Sequence, residues 1–289
     1  MEASKRQIIL MNYINKMPSL PTTVAKILEI CNNPMTSPAD LNKVISLDPV
    51  LMGKVMKLIN SAYYGLSQEI TSLVRAIIML GINTVKNLAL STAVLGTIGK
   101  KKDFQTLNME GFWRHSLCVG VTAKLIAKAR KVDNKSLEEY FIAGLLHDIG
   151  KIPLNNKLAE DFILAMSSSD RDHSPLYVSE QNIIGTTHAD VGQMILKTWN
   201  LPENIIESVT NHHSYREYEG KYKDLAYTVA LANYFAIISE TGFSGDRYPE
   251  KLDPEVFKYL NITMDYLDEI EDKVNKEIEK ASIFLKLAG

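Results

Sequence analysis

Apolar residues along the chain recur at intervals of three and four and do not alternate at two for any length. Val24, Ile27, Leu28 and Cys31 form one such stripe, and Leu51, Val55, Leu58 and Ile59 another. That period winds one face of an α-helix, and nothing reads as strand. The pattern therefore predicts an all-α protein of roughly a dozen helices. Helix punctuation agrees: "SPAD" offers Ser37 as N-cap with Pro38 behind it and Asp40 in the first turn, "LPENI" puts Pro202 near a start, and "DPEVF" repeats the device at Asp253. There is no internal repeat or low-complexity tract. Residues 96–111, "GTIGKKKDFQTLNMEG", are polar and bounded by glycine. They read as a hinge between an N-terminal helical bundle, residues 1–105, and a C-terminal bundle, residues 106–289, that includes a closing helix around "YLDEIEDKVNKEIEKASIFLKLAG".

With 46% hydrophobic and 23% charged residues, the chain of 289 residues can bury a core of ordinary globular size. Its 32 basic and 34 acidic residues are interspersed, and the longest basic run is Lys100, Lys101 and Lys102. A duplex-binding face needs basic charge concentrated on one side, so nucleic acid is not expected as a partner. The most hydrophobic stretch, residues 73–98, is broken by Arg75, Asn83, Lys86 and Asn87, and the N-terminus lacks a signal-type apolar core. The expectation is a cytoplasmic protein without a membrane partner. Cys31 and Cys118 lie far apart without CxxC spacing and read as buried thiols.

The histidines carry more information. His115 shares a helical stripe with Val119, Thr122 and Ile126, His188 with Gly192, Ile195 and Trp199, and His212 with Ile205 and Val209, with His213 beside it. Asn233 lies on a stripe with Ala226, Ala230 and Ile237, and "FIAGLLHDIGKIPLNN" sets His147 and Asp148 at the end of an apolar run. A single inward histidine is most often satisfied by a backbone carbonyl. Several in one bundle need a common partner, because a buried imidazole costs a few kcal/mol unless paired, and a metal ion is the economical one. His173, in "SSSDRDHSPL", has polar, turn-forming neighbours and reads as a surface residue.

A lone histidine, an adjacent His-Asp pair, further histidines and a late helical position resemble the HD superfamily of metal-dependent phosphohydrolases. The order of "LP", "DPVL", "NSAYYG" and "AIIMLG" in residues 20–81, with "GTTHADVGQMILKTWNLPENIIESVTNHH" later, is similar to the HDOD branch, from about Met17 to the C-terminus. The resemblance implies one all-α HDOD unit, an N-terminal bundle packed on an HD-like one. It implies a role in bacterial signal transduction, usually without catalysis, through a protein or small-molecule partner. It also implies a ligand set. His115 would be the first metal ligand, His147 and Asp148 the doublet, and Asn233 would occupy the place of a late aspartate. His188, His212 and His213 would match the positions that hold a second ion in the binuclear HD-GYP branch, with Asp148 bridging.

The amide of Asn233 removes one negative charge, so binding should weaken without vanishing. Imidazoles with one carboxylate suit iron, manganese, nickel, cobalt or zinc, one or two ions, better than calcium or magnesium. The alternative to a non-catalytic module is a low-activity metal-dependent phosphohydrolase acting on a phosphomonoester, nucleotide or cyclic nucleotide. In that case Lys151 would hold phosphoryl oxygens, although it reads equally well as a lysine facing water. "HHSYREYEG" lacks the "GYP" of the cyclic-dinucleotide branch, and "GDRYPE" comes too late to replace it. P-loop, Rossmann, GxSxG and HExxH patterns are absent from the chain. Tyr63 and Tyr64 of "NSAYYG" could anchor a partner if exposed.

Overall fold

Helix starts fall where short polar side chains and prolines put them. α1 (Glu2–Asn15) and α2 (Thr22–Cys31) are followed by α3 (Pro38–Ile45), which opens on a reciprocal cap between Ser37 and Asp40. α4 (Pro49–Ile59) starts on Asp48, whose carboxylate accepts from the Leu51 N–H, and α5 (Leu73–Leu80) starts on Ser72. At Gly81, with φ of 88°, the chain turns by 116° into α6 (Ile82–Ile98), which is buried on nearly every face and forms the axis of the N-terminal bundle. The computed structural model describes residues 2–98 and 106–288. The expected hinge therefore falls largely outside the described residues: α6 ends at Ile98 and the next helix begins at Met109.

The C-terminal bundle is built on α7 (Met109–Ala129), capped by Asn108, and α8 (Leu137–Leu146). These two cross at Gly120 and Gly144. A Cβ on Gly144 would lie 2.8 Å from the Gly120 backbone, so any larger residue would force the helices apart. α9 (Lys151–Lys157), α10 (Ala159–Asp172) and α11 (Leu176–Ile183) follow, then α12 (His188–Thr198), opened by a Thr187–Asp190 capping box, and α13 (Glu203–Asn211) behind Pro202. α14 (Lys223–Ile238) packs on α7, and α15 (Pro254–Leu260), α16 (Met264–Ala281) and α17 (Ile283–Ala288) close the chain.

Helix dominates and no strand occurs among the described residues, and the N-terminal bundle packs on the HD-like one, as the sequence predicts. The seventeen described helices exceed the expected dozen because several are only six to eight residues long. The closing segment is not one helix. It breaks at Ser282, so α16 lies on α7 while α17 packs on α6 and α4. At the other end α1 lies against α9 and α12, where Arg6 makes a bidentate pair with Asp161 (2.9 and 2.6 Å) and the Trp199 indole donates to the Pro18 carbonyl. The two bundles thus exchange their terminal helices, and one continuous set of buried apolar side chains runs through both.

Tyr63 and Tyr64 are half-buried rather than exposed. The Tyr63 hydroxyl accepts from Lys124 Nζ (2.9 Å), Tyr64 donates to Glu138 (3.1 Å), and Phe284 meets the Tyr63 ring edge-on. They anchor the N-terminal bundle to α7, α8 and α17. Cys118 is buried as expected but Cys31 is only half-buried; burial pushes their thiols up to about 12 and about 11, so neither is a thiolate at neutral pH. His173 is exposed, in the left-handed conformation that ends α10. No single helix among the described residues is long and apolar enough to cross a membrane.

Candidate metal centre

Every stripe that points a polar group inward converges on one place. His115 comes from α7, His147 and Asp148 from the turn after α8, His188 from the first residue of α12, His212 and His213 from the end of α13, and Asn233 from α14. Gly150 makes the convergence sterically feasible: a Cβ there would sit 1.9 Å from the His188 carbonyl oxygen, so only glycine lets the His-Asp turn press against the start of α12.

Hydrogen bonds at the far side of three rings set which nitrogen faces the centre. His147 Nδ1 donates to the Gly144 carbonyl (2.7 Å), His212 Nδ1 to the Val209 carbonyl (2.6 Å), and His188 Nδ1 to Glu180 Oε2 (2.6 Å). A ring that carries its proton on Nδ1 alone leaves the Nε2 lone pair facing inward. His188 Nε2 lies 3.3 Å from His212 Nε2, 3.0 Å from His213 Nε2 and 3.2 Å from Asp148 Oδ1. Asp148 Oδ1 and His147 Nε2 are buried with no hydrogen-bond partner. The lone pairs of His188 and His212 and the bare Asp148 oxygen, held this close, repel unless a cation lies between them. Ligands of a tetrahedral ion with bonds of about 2.0–2.1 Å are separated by roughly 3.3 Å, close to the three separations measured from His188 Nε2.

The other half differs. Asp148 Oδ2 is 3.2 Å from His147 Nε2 and 3.5 Å from His115 Nε2, and these three residues form a second candidate cluster. His115 Nε2, however, is 3.1 Å from the Asn233 amide oxygen, to which a protonated Nε2 donates. Lys151 is not a water-facing lysine. It is 2% exposed, with Nζ 2.8 Å from Asp148 Oδ2 and 3.2 Å from Ser244 Oγ.

Burial drives the electrostatics. It depresses His115 to about 3, and together with the neighbouring imidazoles it holds His212 and His213 well below the usual histidine range, so these rings are neutral. Burial opposes ionisation of Asp148 too, but His147 and Lys151 beside it hold its carboxyl well below the usual range. Asp246 has less cationic support, and burial raises it to about 6.

Sequence reasoning missed three contributors. Glu180 is fully buried and grips His188 through both the backbone N–H (2.8 Å) and the ring. It sits on a stripe with Leu176 and Ile184, so the rule that found the histidines could have found it. Ser244 and Asp246 come from the loop after α14, whose "GDRYPE" segment reaches the centre after all. Asp246, Arg247 and Tyr248 line a cavity of about 480 Å³ beside His115. Irregular loop conformation leaves no period from which such residues could be placed.

Solved structures share this fold. A Geobacter sulfurreducens HDOD domain protein of unknown function superposes with a TM-score of 0.74 at 24% identity, covering 97% of each chain. A Shewanella amazonensis SB2B protein provisionally named a phosphohydrolase gives 0.70 at 23% identity over 97% of this chain and 98% of its own. An uncharacterised protein of Treponema pallidum (strain Nichols) is 28% identical over 220 residues, 76% of this chain and 42% of that one, so the chain spans less than half the length of this relative. The sequence profile of the HDOD domain matches residues 17–215, more than half of the chain, and on that match the protein belongs to the HDOD domain family.

Proposed function

We propose that the chain is a cytoplasmic, non-catalytic signalling module of HDOD type whose HD-like half holds a divalent transition metal, and that it acts by binding a protein or small-molecule partner. One observation carries the metal: His188 Nε2 lies 3.0–3.3 Å from two further imidazole nitrogens and from a buried carboxylate oxygen that has no hydrogen-bond partner. His188, His212, His213 and Asp148 would hold the ion, which when bound supplies Lewis acidity and cross-links α8, α12 and α13. Two features speak for a binding role over catalysis. Asn233 brings an amide where a carboxylate would add charge, and Lys151 is spent on Asp148 inside the core. A cavity of about 480 Å³ backs onto His213 and is lined by Tyr177, Gln181, Asn182 and Arg216, which suits a hydrogen-bonding small molecule.

Metal analysis of protein purified without chelators tests the reading. About one iron, manganese, nickel, cobalt or zinc per chain is expected in wild type, falling at least tenfold in His212→Ala. A metal-free wild type that also fails to take up these ions would end it.

A phosphohydrolase reading draws on the cavity beside His115, one member of the other cluster. It requires hydrolysis of an aryl phosphate or phosphodiester by wild type with at least one divalent ion, rising in Asn233→Asp. No turnover by either protein under any ion removes it.

A further inference from the structure

We infer that Lys151 is the resident cation of the His115–His147 half of the centre, its ammonium standing on Asp148 Oδ2 where a second ion would have to bind, so that the centre takes one divalent ion and no more. The inference rests on the metal-centre reading above.

The geometry gives this half a single anionic oxygen with many claimants. Asp148 Oδ2 carries Lys151 Nζ at 2.8 Å, and the same oxygen is the one that His147 and His115 face at 3.2 and 3.5 Å. Lys151 is held there by more than the ion pair. It is the first residue of α9, its side chain is among the largest fully buried ones, and Ser244 Oγ takes a second hydrogen bond from Nζ. A dication placed among His115, His147 and Asp148 Oδ2 would therefore meet a full positive charge across one shared oxygen, in a buried site where charges are weakly screened.

The other polar side chains near this half are engaged elsewhere. Asn233 contributes an uncharged oxygen already engaged with His115. Asp246 is turned to the backbone, accepting from the N–H groups of Leu176 (3.3 Å) and Tyr248 (3.2 Å). Asp148 Oδ1 belongs to the other half, at 3.2 Å from His188 Nε2. The two halves thus have different cations by design of their donors: imidazoles with a bare carboxylate oxygen on one side, and a carboxylate oxygen neutralised by a lysine on the other.

The experiment counts ions per chain after equilibration with Mn²⁺ and removal of excess, in wild type, Lys151→Met and Lys151→Arg. Electron paramagnetic resonance runs in parallel, because a lone Mn²⁺ gives a six-line spectrum and a bridged pair a spin-coupled one. One ion with a six-line spectrum is expected for wild type and Lys151→Arg. Lys151→Met is expected to take up twice as much, with the coupled spectrum. Two ions in wild type, or a folded Lys151→Met that stays at one, overturns the inference while leaving the metal centre standing. No ion in wild type overturns both. Should Lys151→Met fail to fold, Lys151→Gln, which removes the charge but keeps a donor for Ser244 Oγ, is read in the same way, with two coupled ions expected and one ion overturning the inference.

Discussion

Replacing Gly150 by alanine should unseat the centre without touching a single candidate ligand. Gly150 has ordinary helical dihedrals, φ −67° and ψ −19°, so its requirement for glycine is one of space and not of conformation. The added Cβ would meet the His188 carbonyl oxygen at 1.9 Å and the Gly192 N–H nitrogen at 2.6 Å, both backbone atoms of α12. Non-bonded contact is comfortable at about 3.5 Å, so the start of α12 must withdraw by roughly 1.5 Å. His188 Nε2 now sits 3.2 Å from Asp148 Oδ1. A shift of that size exceeds what metal–ligand bonds tolerate, which is only tenths of an ångström. The expected loss is about 3 kcal/mol of stability in metal-free protein, the upper range for overpacking, together with most of the bound metal. Urea unfolding of chelator-treated protein and metal analysis of untreated protein measure the two effects. A variant within 1 kcal/mol of wild type that keeps its full metal content would refute the close-approach argument.

Three further outcomes follow from the same geometry. Glu180→Gln keeps the shape but removes the anion that orients and polarises His188, and should weaken metal binding 10- to 100-fold in a chelator-competition titration, with unchanged affinity refuting the role. In metal-free protein His115, His212 and His213 titrate below their unfolded value near 6.5, so the unfolded state binds more protons and stability should fall as pH drops below about 6.5, by up to about 1.4 kcal/mol per pH unit for each ring; Asp246, raised to about 6, opposes one of them between about 4 and 6, and a flat profile from pH 7 to 4 in urea unfolding would contradict the burial of these rings. Lys124→Met strands the buried Glu138 carboxylate and should cost about 3 kcal/mol, recovered in large part by Glu138→Leu in the same chain, as measured by a double-mutant cycle.

What the sequence reveals and what it hides divide along a physical line. Residues placed by period were legible. The stripes through His115, His188, His212 and Asn233 bury those side chains, and Ser37 and Asp253 cap the helices they announce. Residues placed by long-range packing were not. Lys151 follows the doublet in a register that suits solvent or substrate equally, and only the fold of the loop carrying Ser244 turns it inward. Tyr63 and Tyr64 end a helix like an exposed aromatic pair until Lys124, Glu138 and Phe284 arrive from distant segments. The glycines follow the same rule: that Gly144 faces Gly120 across two helices cannot be read from either alone.

The exchange of terminal helices has a consequence for how the chain is made. α1 leaves the ribosome long before α9 and α12, the surfaces on which it packs, exist. At ordinary synthesis rates of 5–20 residues per second it must wait on the order of ten seconds or more. During that time its buried face, Leu10 and Ile14, has no native partner, while α2 to α6 are already available to fold together. The N-terminal bundle in turn lacks α17 until the whole HD-like bundle has been synthesised. Neither half can be completed in the order in which it is synthesised, so the newborn chain depends on α1 staying unengaged until the HD-like bundle has formed, and a chaperone that shields a short amphipathic helix would be most useful during that interval.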